Sequence, residues 1–343
     1  MEQAISSASQ LDQWREQALR MEDELSQVVV GQEHVIRLLC IAIFARGHVL
    51  LEGDVGLGKT VLLRAVARAL GGAYSRIEGT IDLMPADLVY YTYLDEEGRP
   101  SVQPGPVLSQ GEDLSVFFFN EINRARPQVH ALLLRLMAER SLNAFNRDYH
   151  FPYLQVFADR NQVEREETFE LPAAARDRFF MEISVNAPTD PATRKQLIFD
   201  TRFHDVDTLI DRIPTQLINY RKLDEIGARI QHVVHVSDTM QDYVLALWNG
   251  LRYPDTAGIT LEGIDMAALV TGGASPRGMA MLVRAAKVRA WLEGRDTLLP
   301  DDIRAVFYET VAHRVFLDPL YAMQQDEILP ALCDAIFNTI DVP

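Results

Sequence analysis

Four residues near the start of the chain, Gly53, Gly58, Lys59 and Thr60, satisfy the spacing G-x-x-x-x-G-K-[ST] within "HVLLEGDVGLGKTVLLRAVARAL". Gly56 adds a third glycine, Asp54, Val55 and Leu57 fill the loop, and Val61 follows it. Such a backbone can curl its N–H groups around a β-phosphate, and the positive end of the following helix favours the same anion. Lys59 would then reach the β- and γ-phosphates, and the Thr60 hydroxyl would ligate a metal, so ATP and Mg2+ are the expected cofactors. The plainer reading is a chance glycine-rich turn. Against it stand the filled motif, the apolar strand before it, and Leu62, Leu63, Val66 and Leu70 on one face of the helix after it.

A second stretch, "SVFFFNEINRAR" from Ser115 to Arg126, reads as a buried strand ending abruptly in polar residues. An ATPase of this type carries an aspartate there to steady magnesium and, in some classes, a glutamate that activates the attacking water. Glu121 stands at the glutamate position, whereas Asn120 occupies the aspartate position. The Asn120 amide oxygen can still accept a hydrogen bond from a magnesium-bound water, but its attraction for the metal is weaker. Tolerated substitution with working hydrolysis, a slow or near-inactive ATPase, and an engineered ATP trap all remain open.

Strands and helices must hold these residues in place. Up to about residue 188, β-rich runs ("HVLLEG", "AYSRIE", "SVFFFN", "LQVFAD", "FFMEISV") alternate with helical patterns, which implies a parallel sheet covered by helices on both faces. A break at "NAPTDPAT" follows, and beyond it the patterns are mostly helical. Ser237 is the expected N-cap of one helix; Ser275, with Pro276 behind it, caps another that closes near Gly294. "LDQWREQALRMEDELSQ" is an amphipathic helix that either packs on the nucleotide domain or docks a partner.

Bulk composition narrows the function. At 343 residues, two domains are the natural expectation. The 33 basic and 49 acidic residues give a charge of −16, with no long basic run, so nucleic acid is disfavoured as a partner. Cys40 and Cys333 sit among aliphatic residues and read as buried apolar groups in a reducing compartment. The longest apolar run, "LLCIAIFA", is too short for membrane insertion, and no secretory signal is visible, so a cytoplasmic location is expected. The histidines lack metal-ligand spacing; His232 and His235 have no acidic or cysteine companions nearby.

The strings "VVVGQEHVIRLL", "LLEGDVGLGKT", "IDLMPADLVY", "NEINRARPQVHALLLRLMAER", "FADRNQVEREETFELPAAARDRFFMEI" and "GGASPRGMAMLVRAAKVRAWLEGRDTLLPDDI" together resemble the MoxR family of AAA+ ATPases, from about Val28 to Val315. The resemblance implies an α/β fold: an AAA+ P-loop αβα sandwich with a five-stranded parallel sheet, then a small all-helical lid. The expected divisions are 1–27, an N-terminal helix; 28–188, the nucleotide domain with a hairpin insert at about 81–108; and 189–343, the lid. By the same resemblance, Val30, Gly31 and Gln32 lie beside the adenine, and Asn161 is the sensor-one residue that orients the lytic water. Arg178 is the finger reaching into a neighbouring subunit, with Arg176 an alternative, and Arg277 is sensor two. A guanidinium on the γ-phosphate stabilises transition-state charge.

What the family implies for assembly is a homo-oligomeric ring, usually a hexamer, acting on protein clients alongside a von Willebrand factor A domain partner. Tyr90, Tyr91 and Tyr93 in the insert either contact a client or pack the hairpin on the domain; a second hairpin is expected at "SLNAFNRDYHF". An ATP-driven remodelling factor is the leading expectation. An ATP-gated scaffold slowed by Asn120 is the alternative; a nucleic-acid translocase and a small-molecule kinase fit less well.

Overall fold

The five apolar runs join one sheet. The computed structural model describes residues 2–161 and 169–343, with side chains from Gln10 onward; residues 162–168 of the family-like string lie outside the described residues. Contacts divide the chain into two compact units. The first runs to Phe179 and takes in Ile183–Ile226; the second takes Phe180–Glu182 and Gly227–Pro343.

In the first unit α1 (Glu2–Val28) buries Leu11, Trp14, Ala18, Met21, Leu25 and Val28 at helical spacing, and it lies against α2 (Glu33–Phe44) and α3 (Lys59–Leu70). The strands are β1 (Val49–Glu52), β2 (Ala73–Glu78), β3 (Tyr90–Leu94), β4 (Pro100–Pro104), β5 (Leu114–Asn120), β6 (Ser141–Ala144), β7 (Arg147–His150), β8 (Gln155–Arg160) and β9 (Met181–Ser184). The main sheet has the order β2-β5-β8-β1-β9, with β2, β5, β8 and β1 pairing in parallel. In β5, Val116, Phe117, Phe118 and Phe119 are all buried, as expected of a strand covered on both faces. Phe117 and Phe119 pack with Leu50, Val156 and Ala158 onto Val129, Leu133 and Leu136 of α5 (Pro127–Glu139).

Both expected hairpins form, β3 with β4 and β6 with β7. The first is preceded by α4 (Pro85–Val89). Its Tyr90 ring meets Phe145 at 5.2 Å between centroids, while Tyr91 and Tyr93 are exposed. After α6 (Ala173–Arg176) and β9, Asp190 caps α7 (Pro191–Phe199) by accepting from Thr193 N at 2.8 Å. The chain then returns to α3 through α8 (Val206–Asp211): Arg64 pairs with Asp207 at 2.6 Å, and Arg68 Nε donates to the Ile213 carbonyl at 2.8 Å. These contacts keep residues 189–226 in the first unit, whereas the break at "NAPTDPAT" suggested a division after 188.

From Gly227 the chain is mostly helical: the rest of α9 (Leu223–Val233), then α10 (Asp238–Arg252), α11 (Met266–Leu269), α12 (Pro276–Leu292), α13 (Pro300–Val311) and α14 (Gln325–Thr339), with a small ribbon of β10 (Val270–Gly272) and β11 (Phe316–Leu317). Ser237 accepts from Met240 N and Ser275 from Gly278 N, so both expected caps form. Cys333 is buried here and its thiol is pushed up to about 12 by desolvation; Cys40 of α2 is buried and raised for the same reason.

Asp302, fully buried at the start of α13, holds this unit together. Both oxygens accept from Arg295 at 2.6 Å, Arg289 donates to the same carboxylate, and Leu299 N caps it at 3.0 Å. Asp302→Ala would leave two guanidinium groups without their counter-ion, so a loss of about 3–5 kcal/mol is expected. Urea unfolding followed by tryptophan emission checks this, since Trp248 and Trp291 lie in this unit.

Candidate active site

Strand β1 delivers the chain into the loop Gly53–Gly58, and α3 starts at Lys59. Gly56 and Gly58 have φ of +84° and +81°, a left-handed backbone that side chains disfavour. Gly53 is required for a different reason. A Cβ there would stand 2.2 Å from the Val185 carbonyl oxygen, so the strand end and the loop could not close together. The Lys59 ammonium is buried and held twice, donating to the Gly53 carbonyl at 2.6 Å and to Asp159 Oδ2 at 2.8 Å.

Asp159 is the acidic centre of the arrangement. It stands in β8, and its other oxygen, Oδ1, accepts from Glu121 N at 2.6 Å. That bond steadies a strained backbone, since Glu121 has φ +53° without being glycine. The Glu121 carboxylate is paired with Arg124 Nη1 at 2.9 Å. His130 fixes the same turn through a 2.7 Å contact between Nε2 and the Ile122 carbonyl; burial lowers the pKa of that ring. On the far side, Gly79 N donates to the Asn120 carbonyl at 2.7 Å, joining β2 to the end of β5.

Lys59, Thr60, Asn120, Glu121, Asp159 and Asn161 line one cavity of about 390 Å³, walled by the loop from Val55 to Val61. Arg76 and Glu78 of β2 also face it, and they pair at 3.2 Å. Asn123 Nδ2 reaches the Asn161 carbonyl at 3.5 Å. A neighbouring cavity of about 320 Å³ is bounded by Val30 and Gln32, by Gly56, Leu57, Gly58 and Val61, and by Pro188, Leu197, Phe203, Val206 and Leu209. Its largely aliphatic lining and its place across the loop from the charged cavity suit a flat apolar ring. Gln32 Nε2 donates to the Asn186 carbonyl at 2.7 Å, and a Cβ at Gly31 would lie 2.8 Å from Pro188 Cγ, so residues 30–32 are clamped to the chain after β9.

The donors around the charged cavity are the Thr60 hydroxyl, the Asn120 amide and the carboxylates of Glu121 and Asp159, an all-oxygen set that fits a hard cation. Among the described residues no three His, Cys, Asp or Glu side chains cluster into a metal cage. A magnesium ion here would therefore depend on the phosphates and water for the rest of its shell.

Other expected site residues lie elsewhere. Arg178 lines neither cavity; its Nη1 donates to the Ala174 carbonyl at 2.7 Å, in the turn after α6, whose last residue is Arg176. Arg277 is exposed in the first turn of α12, in the second unit. Sequence reasoning missed Asp159, Arg76, Glu78 and the apolar wall after Pro188. A signal for Asp159 was present: an acid at the carboxyl end of the strand "LQVFAD", where open α/β sheets collect their ligands.

Residues 48–181 match the ATPase family associated with various cellular activities (AAA), and residues 265–332 match the AAA lid domain. Protein MoxR of Methylorubrum extorquens is 63% identical across 97% of both chains. Protein MoxR of Paracoccus denitrificans is 58% identical across 98% of this chain and 99% of its own. Chaperone MoxR1 of Mycobacterium tuberculosis is 31% identical over 93% of this chain and 81% of its own. The crystal structure of a candidate ATPase from Cytophaga hutchinsonii superposes over all of both chains with a TM-score of 0.84 at 29% identity. With the parallel sheet, the phosphate-type loop and the helical second unit already in hand, these likenesses place the chain in the MoxR family of AAA+ ATPases.

Proposed function

We propose that this chain binds and hydrolyses ATP in a ring, with the hexamer as the expected form, and uses the cycle to remodel, mature or activate protein complexes. The observation that carries the reading is the buried Lys59, which points into a cavity shared with Thr60, Glu121 and Asn161 and separated by the loop from an aliphatic pocket. Lys59 and the loop amides hold the β- and γ-phosphates, with Asp54, Val55, Leu57 and Val61 supplying backbone along the chain of phosphates, while Val30, Gly31 and Gln32 border the base. Magnesium supplies charge neutralisation on the phosphates, and Thr60, with Asn120 through water, would hold it. Glu121 takes the proton of the attacking water, and Asn161 orients that water. Arg178 of an adjoining protomer stabilises the charge that develops on the γ-phosphate, and Arg277 reads its presence from the lid.

Chaperone-like action agrees with the name of the Mycobacterium tuberculosis relative, Chaperone MoxR1. A protein bearing a von Willebrand factor A domain is the proposed partner, by the family resemblance. Tyr91 and Tyr93 are the proposed client contacts, supported by their exposure, whereas Tyr90 packs on Phe145. Among the described residues no helix is long and apolar enough to cross a membrane, and the cytoplasm is the proposed compartment. Glu121→Gln should bind ATP without turning it over, and affinity capture with this variant in ATP should retain a protein client. Capture of nothing above background would remove the main support for remodelling.

One contact favours a second reading, an ATP-gated scaffold with slow turnover: Arg124 occupies the Glu121 carboxylate, and Asn120 adds no charge. A large rate gain in Asn120→Asp would favour the scaffold, and little change the working motor.

A further inference from the structure

We propose that Asp159 carries the metal-linked negative charge that Asn120 lacks, and that it makes ATP affinity depend on magnesium. The proposal rests on the reading of the charged cavity as an ATP site.

The strand register places the two residues side by side. Phe119 of β5 pairs with Ala158 of β8, so Asn120 and Asp159 are the next neighbours along the sheet. On its other side Asp159 pairs with Leu51 of β1, the strand that leads into the phosphate loop. The carboxylate therefore stands one strand nearer the loop than residue 120, and it is 2% exposed. Asn120 offers only an amide in the neighbouring position, and the Glu121 carboxylate is already matched by Arg124.

Asp159 is neutralised by Lys59, its ion-pair partner at 2.8 Å. A triphosphate competes for that ammonium. Once Lys59 turns to the phosphates, Asp159 faces several negative oxygens from a buried position, where like charges repel strongly. Asp159 is compensated only when a divalent cation arrives with the nucleotide. Metal-free ATP is thus penalised by this residue, and the penalty vanishes with its charge. Asparagine keeps the shape and one oxygen acceptor, enough for Lys59 or for Glu121 N but not for both, while removing the charge.

The test compares the affinity of a fluorescent ATP analogue in excess MgCl2 and in EDTA at matched ionic strength. It uses the full-length wild type, Asp159→Asn and the exchange variant Asn120→Asp/Asp159→Asn. Wild type should bind at least about tenfold more weakly in EDTA. In Asp159→Asn this ratio should fall toward one, chiefly through tighter binding in EDTA, and the exchange variant should restore it. An unchanged ratio in Asp159→Asn, or an equal loss of affinity in both conditions, overturns the proposal, since Asp159 would then only orient Lys59. Should Asp159→Asn not fold, a ratio near one in wild type or in the exchange variant is equally contradictory. Failure of wild type to bind in either condition would instead defeat the ATP-site reading itself.

Discussion

Lys59→Ala is expected to weaken ATP binding by about 10²-fold or more, the scale of losing a buried charged donor to phosphate. A second effect should appear without nucleotide. Lys59 and Asp159 form a pair at 2.8 Å whose side chains are 9% and 3% exposed, and removing one member strands the other. The resulting loss of folding stability is about 3 kcal/mol, at the low end for breaking a buried pair, because the cavity admits water beside it. Equilibrium binding and urea unfolding of the same preparation separate the two effects. Lys59→Ala/Asp159→Asn should recover most of the stability and none of the affinity.

Arg178→Ala is expected to lower the hydrolysis rate about 10³-fold with little change in nucleotide affinity. Arg178 lies in the turn after α6 and borders neither cavity of its own chain, so on the proposed mechanism its contact with the γ-phosphate would be made in another protomer. A group that acts only on developing charge lowers kcat while leaving ground-state binding alone. Arg176→Ala, at the end of α6, is the control, and steady-state kinetics with a parallel binding titration distinguish the two arginines. A tenfold or greater effect confined to Arg176→Ala would move the assignment.

The sheet was legible because its strands are short apolar runs bounded by helices, and the β5 phenylalanines have no reading other than a strand buried on both faces. The caps at Ser237 and Ser275 were equally plain, since a hydroxyl that satisfies a free N–H acts locally. Residues 189–226 were not legible as part of the first unit, because long-range pairs such as Arg64–Asp207 and Arg68 with the Ile213 carbonyl hold them there, and no periodicity announces such pairs. Asp159 escaped for a related reason. Its role depends on the register of β8 against β5 and β1, and a one-residue slip would turn it to the opposite face. The apolar wall of Pro188, Leu197, Phe203, Val206 and Leu209 is assembled from residues at irregular spacing, so it exists only once the chain has folded back.

On the proposed mechanism, ATP held by one chain is cleaved with the help of another. Mixing Glu121→Gln with Arg178→Ala, each near background alone, tests it directly. Where a protomer with intact Glu121 faces one with intact Arg178, a complete site forms, and random 1:1 assembly makes about a quarter of the interfaces complete. Recovery of hydrolysis to about that share of the wild-type rate is the expected result. A mixture no faster than its two components measured separately would rule out cleavage assisted by a neighbouring protomer.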